Sequence, residues 1–297
     1  MTNDVRFEVV DRIATITLNR PDALNAVTAN MLDAIGERYA QCHEDPEVRA
    51  VILTGAGRAF CAGADFGGGK QPFAAPADND ARNPGNADYG GNADDAGHTD
   101  NLVGRGRSMS APRRFESSPV RPRAWEVAKP VIAAINGHAI GIGMTLAMQC
   151  DFRFMARDAK WGIVQNRRGV VPDAQAHWTV PRAVGFARAA EILLAGRTFS
   201  GDEAVAMGVA SRVMASIDVL AEARLLAEDL RDNVAPRSYA RSKAMLWQSW
   251  AGADAVDAME RDAHLDLMGH PDAIEGPRAF LEKRAPHFIG RVGTGER

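Results

Sequence analysis

The chain has 297 residues, 46% of them hydrophobic, enough to bury a sizeable core as one large domain or a domain with an appendage. Lysine and arginine (35) against aspartate and glutamate (38) leave a formal charge of −3, which offers no electrostatic footprint for nucleic acid or an anionic membrane surface. Three cysteines (Cys42, Cys61, Cys150) without metal-ligand spacing point to a reduced, cytoplasmic protein with no metal site.

The N-terminal stretch "MTNDVRFEVVDRIATITLNR" alternates polar and apolar residues and has no signal-peptide core, and within it Ile13–Leu18 reads as a strand. Thr28–Asp45 places Met31, Leu32, Ile35, Tyr39 and Cys42 at helical spacing, and Arg49–Gly55 is an apolar run of buried-strand length. A glycine turn, "FCAGAD" (Phe60–Asp65), follows that strand directly. From Gly67 to Val120 the composition shifts to Gly, Asn, Asp, Ala, Ser and Pro, with aspartates first and arginines after; this predicts a solvated, mobile insert. Ala128–Ala156 predicts strand, turn, helix, strand; Asn136, His138, three glycines and Gln149 interrupt it too often for a membrane span. Val180–Val213 reads as two amphipathic helices parted by a turn at Gly196–Gly201, with Thr198 or Ser200 as N-cap of the second. Three further helices are expected within Asp218–Asn233, Pro236–Trp250 and Pro271–Phe288. No internal repeat and no dinucleotide fingerprint is visible.

Two segments share one pattern: "FCAGAD" and "NGHAIGIGMTLAMQCD" (Asn136–Asp151) each leave an apolar strand through glycines, the second running into a helix. Such turns expose backbone N–H groups with no intrahelical acceptor, and glycine lets a carbonyl approach closely. Aimed at one point, they would hold a developing oxyanion. Spacing alone equally allows tight strand-to-helix turns with no chemical role.

The motifs "ITLNRPDALNAV", "AVILTGAGRAFCAGAD", "KPVIAAINGHAIGIGMTLAMQCD", "EILLAGRTFSGDEAVAMGVASRV" and "FLEKRAPHF" run in one order along most of the chain outside the insert. In this set the chain resembles the crotonase family, the enoyl-CoA hydratases and isomerases. The resemblance implies an α/β fold, a spiral of ββα units over residues 1–215 with the insert at about 67–120. It also implies a C-terminal helical trimerisation region over 216–297, and a homotrimer or hexamer that binds an acyl-CoA thioester. CoA would arrive as part of the substrate, with no other cofactor.

By position, the resemblance makes the backbone N–H groups of Ala64 and Ile142 the oxyanion donors. Ile142 stands where the family usually has the middle glycine of three, so a branched side chain enters the pocket. Ala23, Leu24, Ala62, Asp65 and Phe66 match adenine and pantetheine contacts, Gly141 and Gln165 join the substrate-binding set, and Lys283 matches a lysine that reaches a CoA phosphate or is simply solvated. Cys61 reads as a packing residue. Hydration by family members uses two carboxylates, but the corresponding positions here are Thr145 and Gln165, neither of which can serve as a base. Asp173, after Pro172 and at the entry of a helix, matches the carboxylate of family isomerases; on sequence alone it could equally be a helix cap. His177, four residues on, would then lie one helical turn from Asp173, as a partner or as a surface or core histidine. A single desolvated aspartate suits transfer of a proton between carbons, so enoyl-CoA isomerisation is the leading expectation. A hydratase or hydrolase using Asp173 is the alternative within the class, and a silent acyl-CoA-binding protein the alternative outside it.

Overall fold

Ten strands among the described residues divide between two sheets. The computed structural model describes residues 4–65, 120–168, 170–248, 262, 266–267 and 270–293. The larger sheet has the order β1 (Val5–Val10), β2 (Ile13–Leu18), β3 (Ala50–Gly55), β5 (Val131–Ile135), β7 (Phe152–Ala156) and β10 (Arg212–Met214). All its pairings are parallel except β1 with β2. The smaller sheet joins β4 (Ala59–Cys61), β6 (His138–Ile140), β8 (Lys160–Gly162) and β9 (Phe199–Ser200) in that order. Successive strand pairs, β3 with β4, β5 with β6 and β7 with β8, each place one strand in the larger sheet and the next in the smaller. This is the ββα spiral that the resemblance implies, present in structure though unmarked by any sequence repeat.

β3 and β5 are buried along their whole length, as their uninterrupted apolar sequences require of parallel strands covered on both faces. Helix α1 (Ala29–Glu44) packs on β1 and β2, burying Met31, Leu32, Ile35, Tyr39 and Cys42 as their spacing predicted; Thr28 caps it by accepting from Met31 N at 3.3 Å. α2 (Ile142–Ala147) follows β6, and α3 (Ala176–Val184) and α4 (Phe186–Ala195) follow β8. α5 (Gly201–Met207) starts at a capping box in which Ser200 and Glu203 bond each other's backbone, so Ser200 is the cap. α6 (Val219–Asn233) lays Val219, Ala223 and Ala227, spaced by four, against β3, β5 and β7. α7 (Pro236–Gln248) and α8 (Pro271–Glu282) complete the described helices. Trp125, Trp178 on α3 and Trp247 on α7 cluster with ring centroids 5.1–5.5 Å apart, Trp247 stacked on both of the others, pinning α3 to α7. No helix among the described residues is long and apolar enough to cross a membrane.

Three expectations are corrected. The glycine turns do not follow β3 and β5 directly; the short strands β4 and β6 intervene and carry both turns into the smaller sheet. Three helices rather than two lie between residues 176 and 207, because Gly185 (φ +76°) breaks the run between α3 and α4. Val120, assigned to the insert, is fully buried in the core. The remainder of that insert, like Phe66, lies outside the described residues.

Candidate active site

β4 and β6 are parallel neighbours, so the turns that leave them, residues 62–65 and 141–143, emerge at the same end of the smaller sheet. They touch. A Cβ placed on Gly143 would sit 2.5 Å from the Cys61 carbonyl oxygen and 2.7 Å from its Cβ, so only glycine allows this approach. Gly141 (φ +57°, ψ −124°) occupies a region of backbone space that L side chains avoid, and this sets the direction in which α2 begins.

Backbone pairing fixes where the Ala64 N–H points. Ala64 forms a parallel bridge with Val27, in which Val27 N donates to Gly63 O (2.9 Å) and Asp65 N to Val27 O (2.8 Å). Those bonds use the groups flanking Ala64, so the Ala64 N–H is directed away from Val27. Ile142 is the first residue of α2, where an N–H has no intrahelical acceptor. Neither N–H donates to a backbone carbonyl among the described residues. α2 has only six residues, so its contribution is this free donor rather than a long helix dipole.

The loop facing the first turn is stiff. Leu24 and Asn25 both have positive φ, and Asn25 is fully buried with its amide donating to Ala56 O (2.8 Å) and Ala59 O (2.7 Å). Ala62 N donates to Leu24 O at 3.0 Å, which brings Ala23, Leu24, Ala62 and Asp65 into one strip. Arg20 closes that strip with a 2.7 Å ion pair to Asp65 and a 2.8 Å bond to Ala26 O.

Asp173 joins the site from the far side. Thr145 Oγ1, on α2 and fully buried, donates to Asp173 Oδ1 at 2.7 Å; Gln165 Nε2, in the 3₁₀ turn Gln165–Arg168, donates to the same oxygen at 3.2 Å. Among the described residues no further residue donates to the carboxylate, apart from the backbone N–H of Asp173 itself. Burial pushes the Asp173 carboxyl above its ordinary range, and the Thr145 and Gln165 bonds draw it part of the way back. Burial pushes the Cys61 thiol up to about 11, with the Asp173 charge adding to it as a lesser cause, so the thiol is a neutral packing group.

Asp173 does not cap a helix. Ala174 (φ +48°) and Gln175 (φ +55°) are both left-handed and delay α3 to Ala176; the buried Gln149 holds this bend with a 3.0 Å bond to Ala174 O. The expected helical offset to His177 is therefore lost, and His177 is exposed with no bond to the carboxylate among the described residues. Lys283 is exposed just past α8, and no hydrogen bond or ion pair connects it to the site among the described residues. Thus Ala64, Ile142, Gly141, Gln165 and Asp173 come together, flanked by the strip from Ala23 to Asp65. Sequence reading passed over the donor roles of Thr145 and Gln165 and the pairing of Arg20 with Asp65. All three depend on contacts across 8–45 positions, which leave no periodic signal.

Family models described as enoyl-CoA hydratase/isomerase match residues 13–81 and 99–291. A probable enoyl-CoA hydratase of Rhodobacter capsulatus is 32% identical over 97% of this chain and 98% of that relative. A 1,2-epoxyphenylacetyl-CoA isomerase of Escherichia coli is 32% identical over 94% and 95% of the two chains. The crystal structure of a probable enoyl-CoA hydratase/isomerase from Mycobacterium abscessus is similar with a TM-score of 0.82 and 42% identity, covering 97% of this chain and 99% of that one.

Proposed function

The chain belongs to the enoyl-CoA hydratase/isomerase family, and from that premise we propose that it is an enoyl-CoA isomerase with Asp173 as its acid–base group. One observation carries this reading: among the described residues Asp173 is the carboxylate beside the two glycine turns that has no cation paired to it, while Thr145 and Gln165 occupy the positions where a hydratase would need carboxylates.

A 3-enoyl-CoA would lie with its thioester oxygen between the Ala64 and Ile142 N–H groups. Ionised Asp173 takes the proton from C2. The electron pair moves into the thioester carbonyl, giving a dienolate whose oxygen carries the charge. Protonated Asp173 then returns the proton to C4, leaving the double bond between C2 and C3 in conjugation with the thioester. Each preorganised donor stabilises the dienolate by roughly 3–4 kcal/mol, judged from single-donor deletions in other enzymes. Burial raises the basicity of Asp173, which narrows the gap to the weakly acidic C2–H. Addition of water would call for a second group to orient and activate it.

The relatives include proteins named hydratase and isomerase, so the reaction is decided by assay. Purified protein given 3-enoyl-CoA esters should form the conjugated isomer and should hydrate crotonyl-CoA slowly or not at all. Rapid crotonyl-CoA hydration that survives Asp173→Asn would overturn the proposal.

A further inference from the structure

We infer that Thr145, together with Gln165, is a positioning residue that ties down Oδ1 of Asp173 and leaves Oδ2 as the oxygen that exchanges the proton. The inference rests on Asp173 being the acid–base group.

Three observations support it. First, both side chains donate to the same oxygen, Oδ1, although they come from different elements, α2 and the 165–168 turn. The elements that carry the donors are themselves held. Thr145 is fully buried, and the turn carrying Gln165 is bonded to α4 by Asn166 Nδ2 to Leu193 O and Arg167 Nε to Ala195 O, both 2.7 Å. A carboxylate held at one oxygen from two directions has little freedom to rotate its second oxygen out of place.

Second, the Thr145 hydroxyl has a choice, and distance shows which partner it takes. A buried threonine in a helix commonly bonds a carbonyl of the preceding turn, and Ile142 O lies 3.2 Å away. Its one proton cannot serve both acceptors. At 2.7 Å Oδ1 is nearer than that carbonyl, and an ionised oxygen is the stronger acceptor, so the carboxylate is the partner.

Third, the surroundings of Asp173 leave this pair as the main agents that favour its ionised form, with the residue's own backbone N–H as a lesser one. Toward Asp173, α2 presents Thr145, the 165–168 turn presents Gln165, and β4 presents Cys61, whose thiol is neutral up to about 11. Among the described residues none pairs a cation with the carboxylate. Without the two donors, only the backbone N–H of Asp173 itself would oppose desolvation, and the base would stay protonated further up the pH scale.

The test compares Thr145→Val, which keeps the shape and deletes the hydroxyl, with Thr145→Ser, which keeps the hydroxyl and deletes the methyl. Two readouts are taken on the full chain: the Asp173 titration by ¹³C carboxyl NMR, its signal identified by loss in Asp173→Asn, and the pH profile of kcat/KM with a 3-enoyl-CoA. Thr145→Val should move the titration and the acid limb of the profile upward by about one pH unit, and lower kcat roughly ten- to hundredfold with KM little changed. Thr145→Ser should restore both. An unmoved Asp173 titration in folded Thr145→Val protein, or a serine variant no better than valine, overturns the inference. If the titration moves as expected but the wild-type protein does not isomerise enoyl-CoA, the positioning role stands and the proposed reaction falls.

Discussion

Two carboxylates, Asp151 with its side chain buried and the half-buried Asp173, lie on either side of β7 and β8 in sequence and are built to opposite ends. Asp151 uses both oxygens: Oδ2 meets Lys243 Nζ at 2.7 Å and Val131 N at 2.8 Å, with Tyr239 OH at 3.3 Å, and Oδ1 accepts from Trp247 Nε1 at 2.8 Å. Lys243 is saturated in turn by the Ala124 and Lys129 carbonyls. Asp173 has two neutral donors on one oxygen and no paired cation among the described residues. A charge balanced by a lysine and bonded at both oxygens locks α7 to the start of β5 and gives up nothing to a substrate. A charge held at one oxygen and destabilised by burial is ready to take up a proton.

The largest effect should come from the second of these sites. Asp173→Asn should lower isomerisation by at least 10²–10⁴-fold, since the amide still accepts from Thr145 and Gln165 but takes up no proton. Thermal stability separates this from unfolding, and the sign follows from the raised carboxyl. Folding favours protonated Asp173, so its stabilising contribution is full below the ordinary carboxylate range and is lost as pH rises through the elevated folded value. Asp173→Asn should therefore melt at or above wild type at neutral pH, with that advantage shrinking in acid. A clear loss of melting temperature at pH 7 would make Asp173 a structural group like Asp151.

Lys243→Met breaks the comparison from the other side. It strands the Asp151 charge in the core, which should cost about 3–5 kcal/mol in denaturant unfolding while the variant that remains folded keeps its kcat. If stability held and turnover fell, the two sites would have been assigned the wrong way round.

Gly143→Ala tests how closely the two turns must meet. Its methyl would collide with Cys61 backbone atoms at 2.5 Å, so overpacking should cost about 1–3 kcal/mol and, by tilting the Ile142 N–H, depress kcat more than KM. A variant as stable and active as wild type would show the contact to be slack. Cys61→Ser should do least. If the thiol only packs, turnover should stay within about twofold, and a larger loss would bring Cys61 into the chemistry.

Local pattern was enough for much of this protein. Met31, Leu32, Ile35, Tyr39 and Cys42 at helical spacing predicted α1 and its buried face, and the apolar runs at Ala50 and Val131 predicted the central strands, because burial of one face or two imposes a period that any window of sequence displays. The motifs at Ala50–Asp65 and Lys129–Asp151 carried the family and, through it, the expectation placed on Ala64 and Ile142, while Asp173 was singled out by its position after Pro172. Tertiary structure alone decided the rest. Strands of three residues such as β4 and β6 are too short to show a period and exist because they pair with each other. The left-handed pair Ala174–Gln175 separates Asp173 from the start of α3, so that it is no helix cap and accepts from Thr145 and Gln165 instead, a backbone choice held by Gln149 from 25 positions away. Thr145 and Gln165 read as missing carboxylates in the sequence. Only the packing of α2 and the 165–168 turn around one oxygen makes them donors to Asp173, because a hydrogen bond depends on distance in space and not on separation along the chain.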